Sequence, residues 1–192
     1  MRNKIIVSAI SLVFGCAAFM PSYAGYNIGI QGGMSSLGYY TTDVVKSGSG
    51  SVKSNKAFGR IYGGYDFTEN LGLQLGYAYY GKPEFTSSSG LKQSFTQQGV
   101  DLSGLVSLHF AHNFGFYLKG GTTWVFRSSV PDSTYFKAKA SSSKLALLLG
   151  LGATYDFTKS LTADLSATRI FNNGNLPKMD LYGIGLTYRF GL

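Results

Sequence analysis

Large apolar side chains alternate with small or polar ones along most of this 192-residue chain. Residues 71–79 and 182–190 show the pattern most clearly, because Leu, Ile, Tyr or Phe recurs at every second position there. A period of two is typical of β-strands, whose successive side chains point to opposite faces. Helical spacing is nearly absent, so the sequence predicts an all-β protein.

The two faces of these strands differ in an unusual way. One carries large apolar side chains, and the other carries Gly, Ser, Thr and isolated charges. A soluble sandwich would bury the large side chains, whereas a narrow membrane barrel turns them toward lipid and fills its crowded interior with small polar ones. The alternating segments are 26–34, 57–67, 71–79, 100–110, 116–126, 145–155, 161–169 and 181–190.

The connections between these segments alternate in length. Residues 68–70, 111–113 and 158–160 are short, whereas 37–56, 80–99, 127–144 and 170–180 are long and rich in Ser, Gly, Asn and Lys. Short turns on one rim and long loops on the other are typical of outer-membrane barrels. Aromatic residues lie near the segment ends, where interfacial girdles form: Tyr26, Phe67, Tyr79, Phe116, Phe126, Tyr155, Tyr188 and Phe190. A soluble periplasmic barrel is the alternative fold.

Residues 1–24 have the features of a secretory signal peptide. Arg2 and Lys4 precede an uncharged apolar stretch over residues 5–20, and residues 22–24 fit the small-x-small cleavage rule. We therefore expect Sec export, followed by removal of this segment.

Two other interpretations of the N-terminus are weaker. An anchor helix would need a longer apolar stretch and a positive stop-transfer cluster. Cys16 loosely resembles a lipoprotein acylation site, but Phe14 stands where a small residue is expected. Cleavage after Ala24 would remove the chain's single Cys and leave a domain over residues 25–192.

Several motifs together resemble the transmembrane domain of the OmpA family. They are IYGGY at 61–65, LGLQLGY at 71–77, GVDL at 99–102, YLKGG at 117–121 and GLTYRFG at 185–191. The resemblance implies an eight-stranded antiparallel up-and-down transmembrane β-barrel in the Gram-negative outer membrane. It covers the barrel alone, so a peptidoglycan-binding domain is not expected.

The resemblance also implies a polar cluster inside the barrel, which the family is proposed to use as a gate. This chain departs from the family's charged positions at Gln74, Leu105, Thr154 and Asp164. Asp101, Lys119 and Asp164 are expected to pair, because a charge buried alone is costly. A purely structural cluster and a gate for small solutes both remain open. The predicted lumen cluster is Gln31, Arg60, Gln74, Asp101, Lys119 and Asp164.

The last strand resembles the signal that the barrel-assembly machinery reads. Its alternating apolar residues include Leu186, Tyr188, Phe190 and Leu192. A simple lipid-facing strand is the alternative, and the two interpretations are compatible. The machinery and periplasmic chaperones are the partners expected during biogenesis.

Positive charge concentrates in the long loops. The formal net charge is +8, and the strands and short turns are balanced. Extracellular loops of this charge predict contact with lipopolysaccharide phosphates or acidic host ligands. No groove-reading element accompanies them, so nucleic acid is not an expected partner. The predicted basic loop residues are Lys46, Lys53, Lys82, Lys92, Arg127, Lys137, Lys139, Lys144 and Lys178.

The sequence contains no recognisable catalytic motif. GxSxG, HExxH and P-loop patterns are missing, and His109 and His112 fall at a short-turn rim. We therefore expect no catalytic, cofactor or metal site. The predicted role is envelope integrity and surface contact, with a narrow passive pore and a host-cell adhesin as alternatives.

Overall fold

The computed structural model describes residues 25–38, 50–53, 55–87, 92–94, 96–110, 113–127, 142–171, 173 and 177–190. The expected signal peptide, Lys46, Lys137, Lys139, His112 and Leu192 lie outside these ranges. Within them, no helix is long and apolar enough to cross a bilayer.

Eight long strands close into one antiparallel barrel, and three short strands form a separate sheet. The strands are β1 (Gly25–Leu37), β2 (Gly50–Lys53), β3 (Asn55–Asp66), β4 (Leu71–Gly81), β5 (Glu84–Ser87), β6 (Lys92–Ser94), β7 (Gln97–His109), β8 (Phe114–Arg127), β9 (Ser142–Asp156), β10 (Leu161–Ile170) and β11 (Met179–Arg189). The barrel order is β1-β11-β10-β9-β8-β7-β4-β3, and β3 pairs with β1 to complete the ring. The predicted fold class is confirmed.

Each predicted segment coincides with one barrel strand, but the strands run up to three residues further at the long-loop rim. Many inward residues toward that rim are apolar as well, although Gln97 and Arg127 are buried polar exceptions, so the alternation of polarity that marked the segments fades there. Leu148 is an example: its side chain points inward between the outward-facing Leu147 and Leu149.

The outer surface of the barrel is apolar. Leu73, Leu147 and Ile184 are 40%, 65% and 65% exposed, respectively, as the predicted side-chain orientation requires. Lipid rather than water is the medium that accepts such a surface, because exposed apolar patches of this extent are rare on soluble proteins.

Aromatic side chains form a band near each rim. At the short-turn end, Tyr65 contacts both Tyr26 and Phe67 edge-on, with ring centroids 5.1 Å apart in each pair. At the long-loop end, Trp124 stacks on Phe126 at 5.6 Å. Amphipathic rings favour the headgroup level, so the two bands mark the membrane interfaces.

The small sheet was not predicted from the sequence. Its order is β2-β5-β6, and it lies in the connections of the long-loop rim. β4 leads into it through a register shift between Tyr79 and Gly81, and Gly81 has a φ of 98°, which favours glycine. Lys56 at the start of β3 lies 2.9 Å from Glu84 of β5, so an ion pair ties the sheet to the barrel.

We predict that the substitution Ile184→Lys destabilises the barrel by about 2–4 kcal/mol, because a cation then faces lipid near the midplane. Urea unfolding in phosphatidylcholine vesicles, followed by fluorescence of the single Trp124, measures the loss. Ile184→Leu is the matched control and should cost little. Equal stability of the Lys and Leu variants would contradict the lipid-facing assignment.

Candidate functional site

The lumen is divided into three zones along the barrel axis. An apolar layer lies toward the long-loop end, where Gln97 and Arg127 are also buried; an ionic layer lies below it, and a polar cavity opens toward the short turns. The apolar layer consists of Leu37, Phe58, Ala78, Tyr80, Val125, Ala146, Leu148, Ile170, Met179 and Leu181.

The strongest contact of the ionic layer is a buried salt bridge between β3 and β7. Arg60 donates to both carboxylate oxygens of Asp101, from Nη2 at 2.6 Å and from Nε at 2.9 Å. The guanidinium also lies 4.4 Å from the ring centroid of Tyr62 and 3.4 Å from the amide oxygen of Gln74. Gly76 makes the pairing possible, because a Cβ there would collide with both charged groups.

Asp164 on β10 accepts hydrogen bonds from two other strands. The Gln31 amide on β1 donates to its Oδ2 at 3.2 Å, and the Tyr117 hydroxyl on β8 donates to the same atom at 3.1 Å. Gln31 donates in addition to Ser166 Oγ at 2.6 Å. Tyr117 reaches this point over Gly152, where any side chain would occupy the space of the ring.

Lys119 on β8 is buried but makes no direct pair. Its side chain is 3% exposed and passes close to Gly150. Among the described residues it has neither a hydrogen bond nor an ion pair, and its charge acts across the lumen on Arg60, Asp101 and Asp164. The expected pairing of Asp101, Lys119 and Asp164 is therefore corrected: Asp101 pairs with Arg60, because that guanidinium reaches both of its oxygens.

The apolar layer closes the long-loop end of the lumen. Tyr80 is 1% exposed and anchors its hydroxyl on Thr123 at 3.0 Å, while Leu37, Ile170 and Met179 are at most 1% exposed. The sequence had predicted a small, polar interior throughout. That prediction is wrong for this zone, because inward apolar residues such as Leu148 were hidden inside apolar runs.

The polar cavity has a volume of about 810 Å³. Lys119, Asp164 and Arg60 lie among its lining residues, together with residues of the short turns such as Thr68 and Thr158. It therefore connects the ionic layer with the short-turn rim.

Arg189 spans the mouth of this cavity. Its guanidinium lies 3.5 Å from Asp66 of β3 and 3.4 Å from Asp156 of β9, and it donates to Thr162 at 2.7 Å. Thr162 in turn donates to Asp156. These contacts join both sides of the seam between β1 and β11.

The structure brings the six predicted lumen residues together: Gln31, Arg60, Gln74, Asp101, Lys119 and Asp164 all face the interior. Tyr62, Tyr117 and Arg189 are additional members of the polar interior. The sequence does contain a signal for them, because all three occupy inward positions in the alternating pattern.

Six of the nine predicted basic loop residues lie within the described ranges, and they divide into three groups. Lys82, Lys144 and Lys178 are exposed at the long-loop rim, and Lys53 and Lys92 belong to β2 and β6. Arg127 requires a correction, because it ends β8 with a side chain that is 6% exposed. Thr123, Val125 and Arg127 are alternate residues of β8 and therefore point to the same side of the strand. The side chain of Arg127 thus faces the lumen and does not belong to an exposed loop.

The predicted assembly strand is β11 together with the residue after it. Leu186, Tyr188 and Phe190 point outward and are about half exposed. His109 ends β7 at the short-turn rim. Within the described part of the chain, no group of three His, Cys, Asp or Glu residues has the spacing of a metal site.

A closed barrel with an apolar outer surface, two aromatic bands and a polar interior defines the class of integral outer-membrane β-barrels. The family model for the OmpA-like transmembrane domain matches residues 21–192. The chain belongs to this family and is a protein of the Gram-negative outer membrane.

Relatives of known sequence support this assignment. A protein of Coxiella burnetii (strain RSA 493 / Nine Mile phase I) is 24% identical, and the match covers 92% of this chain and 86% of that protein. Outer membrane protein A of Serratia marcescens is 25% identical over 75% of this chain. The match spans only 42% of the Serratia protein.

Solved structures show the same fold. OprG of Pseudomonas aeruginosa is similar with a TM-score of 0.61 at 15% identity, covering 86% of this chain and 96% of that one. The N-terminal β-barrel domain of OprF from the same organism has a TM-score of 0.55 at 16% identity, covering 86% and 97%.

We predict that Asp101→Asn destabilises the barrel by about 3–5 kcal/mol, because it leaves the Arg60 charge buried without its counter-charge. Urea unfolding in vesicles measures the change. Asp180→Asn is the matched control, since its partner Arg169 is 52% exposed and such pairs contribute only about 0–1 kcal/mol. Similar losses for the two variants would contradict a special role of the buried pair.

Proposed function

We propose that this protein is a closed outer-membrane barrel that supports envelope integrity and presents a basic outer rim, and that it does not conduct solutes. The observation that carries the proposal is the apolar layer, to which seven of the eight barrel strands contribute. A hydrated ion would have to displace close-packed side chains to cross it.

The ionic layer adds a second obstacle below the first. Arg60 and Asp101 hold each other through two hydrogen bonds, and Gln31 and Tyr117 fix Asp164 from the other side. Eight strands enclose an interior that is narrow enough for side chains to fill, so the fold does not require an open path through the barrel. These contacts favour a structural cluster over a gate.

The outer rim supports the surface-contact part of the proposal. Lys82, Lys144 and Lys178 are exposed there, above the buried apolar layer of the barrel. Fixed cations at the membrane surface attract polyanions, of which lipopolysaccharide phosphates are the nearest source. Acidic ligands on a host cell offer the same chemistry, and an adhesin would use the same rim.

Biogenesis requires a further set of partners. The outward side chains of β11 form a continuous apolar and aromatic row that reaches Phe190. We propose that the barrel-assembly machinery reads this row after periplasmic chaperones deliver the chain, and that the row faces lipid afterwards.

Planar bilayers test the closed lumen directly. The purified protein should show no steady current steps, whereas the combined substitution of Phe58, Tyr80 and Leu148 by Ala should produce them, because it removes three large side chains from the apolar layer. Leu147→Ala faces lipid and is the matched control, which should remain silent. Regular current steps from the unchanged protein would favour the narrow pore.

Thermal unfolding tests the basic rim. Lipopolysaccharide added to phosphatidylcholine vesicles should raise the Tm, because a ligand that binds the folded state stabilises it. Replacing Lys82, Lys144 and Lys178 by Gln should reduce this rise, and salt should reduce it as well. Lys159→Gln lies at the opposite rim and serves as the control. An undiminished rise in the triple variant would count against lipopolysaccharide contact through these residues.

A further inference from the structure

Two charged groups of opposite sign line the polar cavity without being joined to each other. Lys119 makes no hydrogen bond or ion pair with the described residues. Within the part of the chain that the structure describes, Asp164 accepts two hydrogen bonds, from Gln31 and Tyr117, and both reach one oxygen, Oδ2. Each group therefore retains capacity for a partner of the opposite charge.

The neighbouring charges do not fill that need. Arg60 and Asp101 neutralise each other through their two-point contact, so neither is a close counter-charge for Lys119 or Asp164. Both are almost fully buried, with exposures of 3% and 7%. A buried charge without a close partner is costly, so a site of this kind favours a molecule that supplies one.

We propose that the polar cavity binds a small zwitterion, whose carboxylate meets Lys119 and whose ammonium group meets Asp164. A simple anion would gain Lys119 but face repulsion from Asp164, and a simple cation would face Lys119 and Arg60. A molecule that carries both charges satisfies both groups at once, which gives the site its selectivity.

The size and access of the cavity agree with this ligand class. Its volume of about 810 Å³ holds a molecule of a few heavy atoms together with water. The cavity reaches the short-turn rim, whereas the apolar layer closes the other end. The ligand therefore enters and leaves on the periplasmic side, and binding involves no passage through the barrel.

Calorimetric titration of the purified protein in lipid nanodiscs tests the proposal. Glycine, β-alanine and 4-aminobutyrate are zwitterions of increasing length, while acetate and methylammonium each carry one of the two charges. At least one zwitterion should bind, and it should bind at least about tenfold more tightly than either single ion, because both charge-assisted contacts contribute.

Variants assign the binding to the site. Lys119→Met and Asp164→Asn should each weaken binding about tenfold or more, whereas Lys144→Met at the outer rim should leave it unchanged. A heat-dependent gel-mobility shift identifies variants that fold. If a lumen variant does not fold, NMR of the unchanged protein replaces it: the bound zwitterion should shift the Lys119 side-chain resonances.

The proposal is overturned if none of the three zwitterions binds, if acetate or methylammonium binds as tightly, or if binding survives in both lumen variants. It is also overturned if the zwitterion leaves the Lys119 resonances unmoved. None of these results bears on the closed lumen, which is tested by conductance.

Discussion

The need to satisfy every backbone hydrogen bond within the membrane governs this structure. Hydrocarbon offers no water to an unpaired amide, so a spanning sheet must have no free edge. The pairing of β1 with both β11 and β3 meets this condition, because the first strand joins the last and the ring is complete. Once the ring is closed, each strand has one lipid-facing side and one lumen-facing side, and the alternation of the sequence follows.

The interior shows how a narrow ring accommodates long side chains. Glycines stand beside them: Gly76 makes room for Arg60, Gly152 for Tyr117 and Gly29 for Tyr62. Strand glycines usually weaken a sheet, but here each one lets a side chain of the adjacent strand pass over it and reach a partner one strand further around the barrel. The polar network therefore depends on the glycines, because they provide the space that its long side chains occupy.

The sequence predicted the class of fold well, because side-chain alternation and the membrane requirement point to the same barrel. It also placed the six lumen residues inside, since inward position follows from strand parity. It missed the apolar layer, because Leu148 and similar residues lie within runs of apolar residues. In such a run the polarity of the side chains does not show which of them point inward. Arg127 was assigned to a loop for a related reason, as β8 extends further than its pattern. The pairing of Arg60 with Asp101 depends on distances across the ring, which no local pattern contains.

A lumen that opens at one end takes its water and dissolved ions from that side alone. In the closed lumen proposed above, that side is the periplasm, because the apolar layer lies between the polar cavity and the long-loop end. Changes in acidity or ionic strength outside the cell therefore do not reach Arg60, Asp101, Lys119 and Asp164 directly. The cavity that Arg60, Lys119 and Asp164 line is in contact with the periplasm, whereas the lysines of the outer rim are exposed to the medium outside the cell.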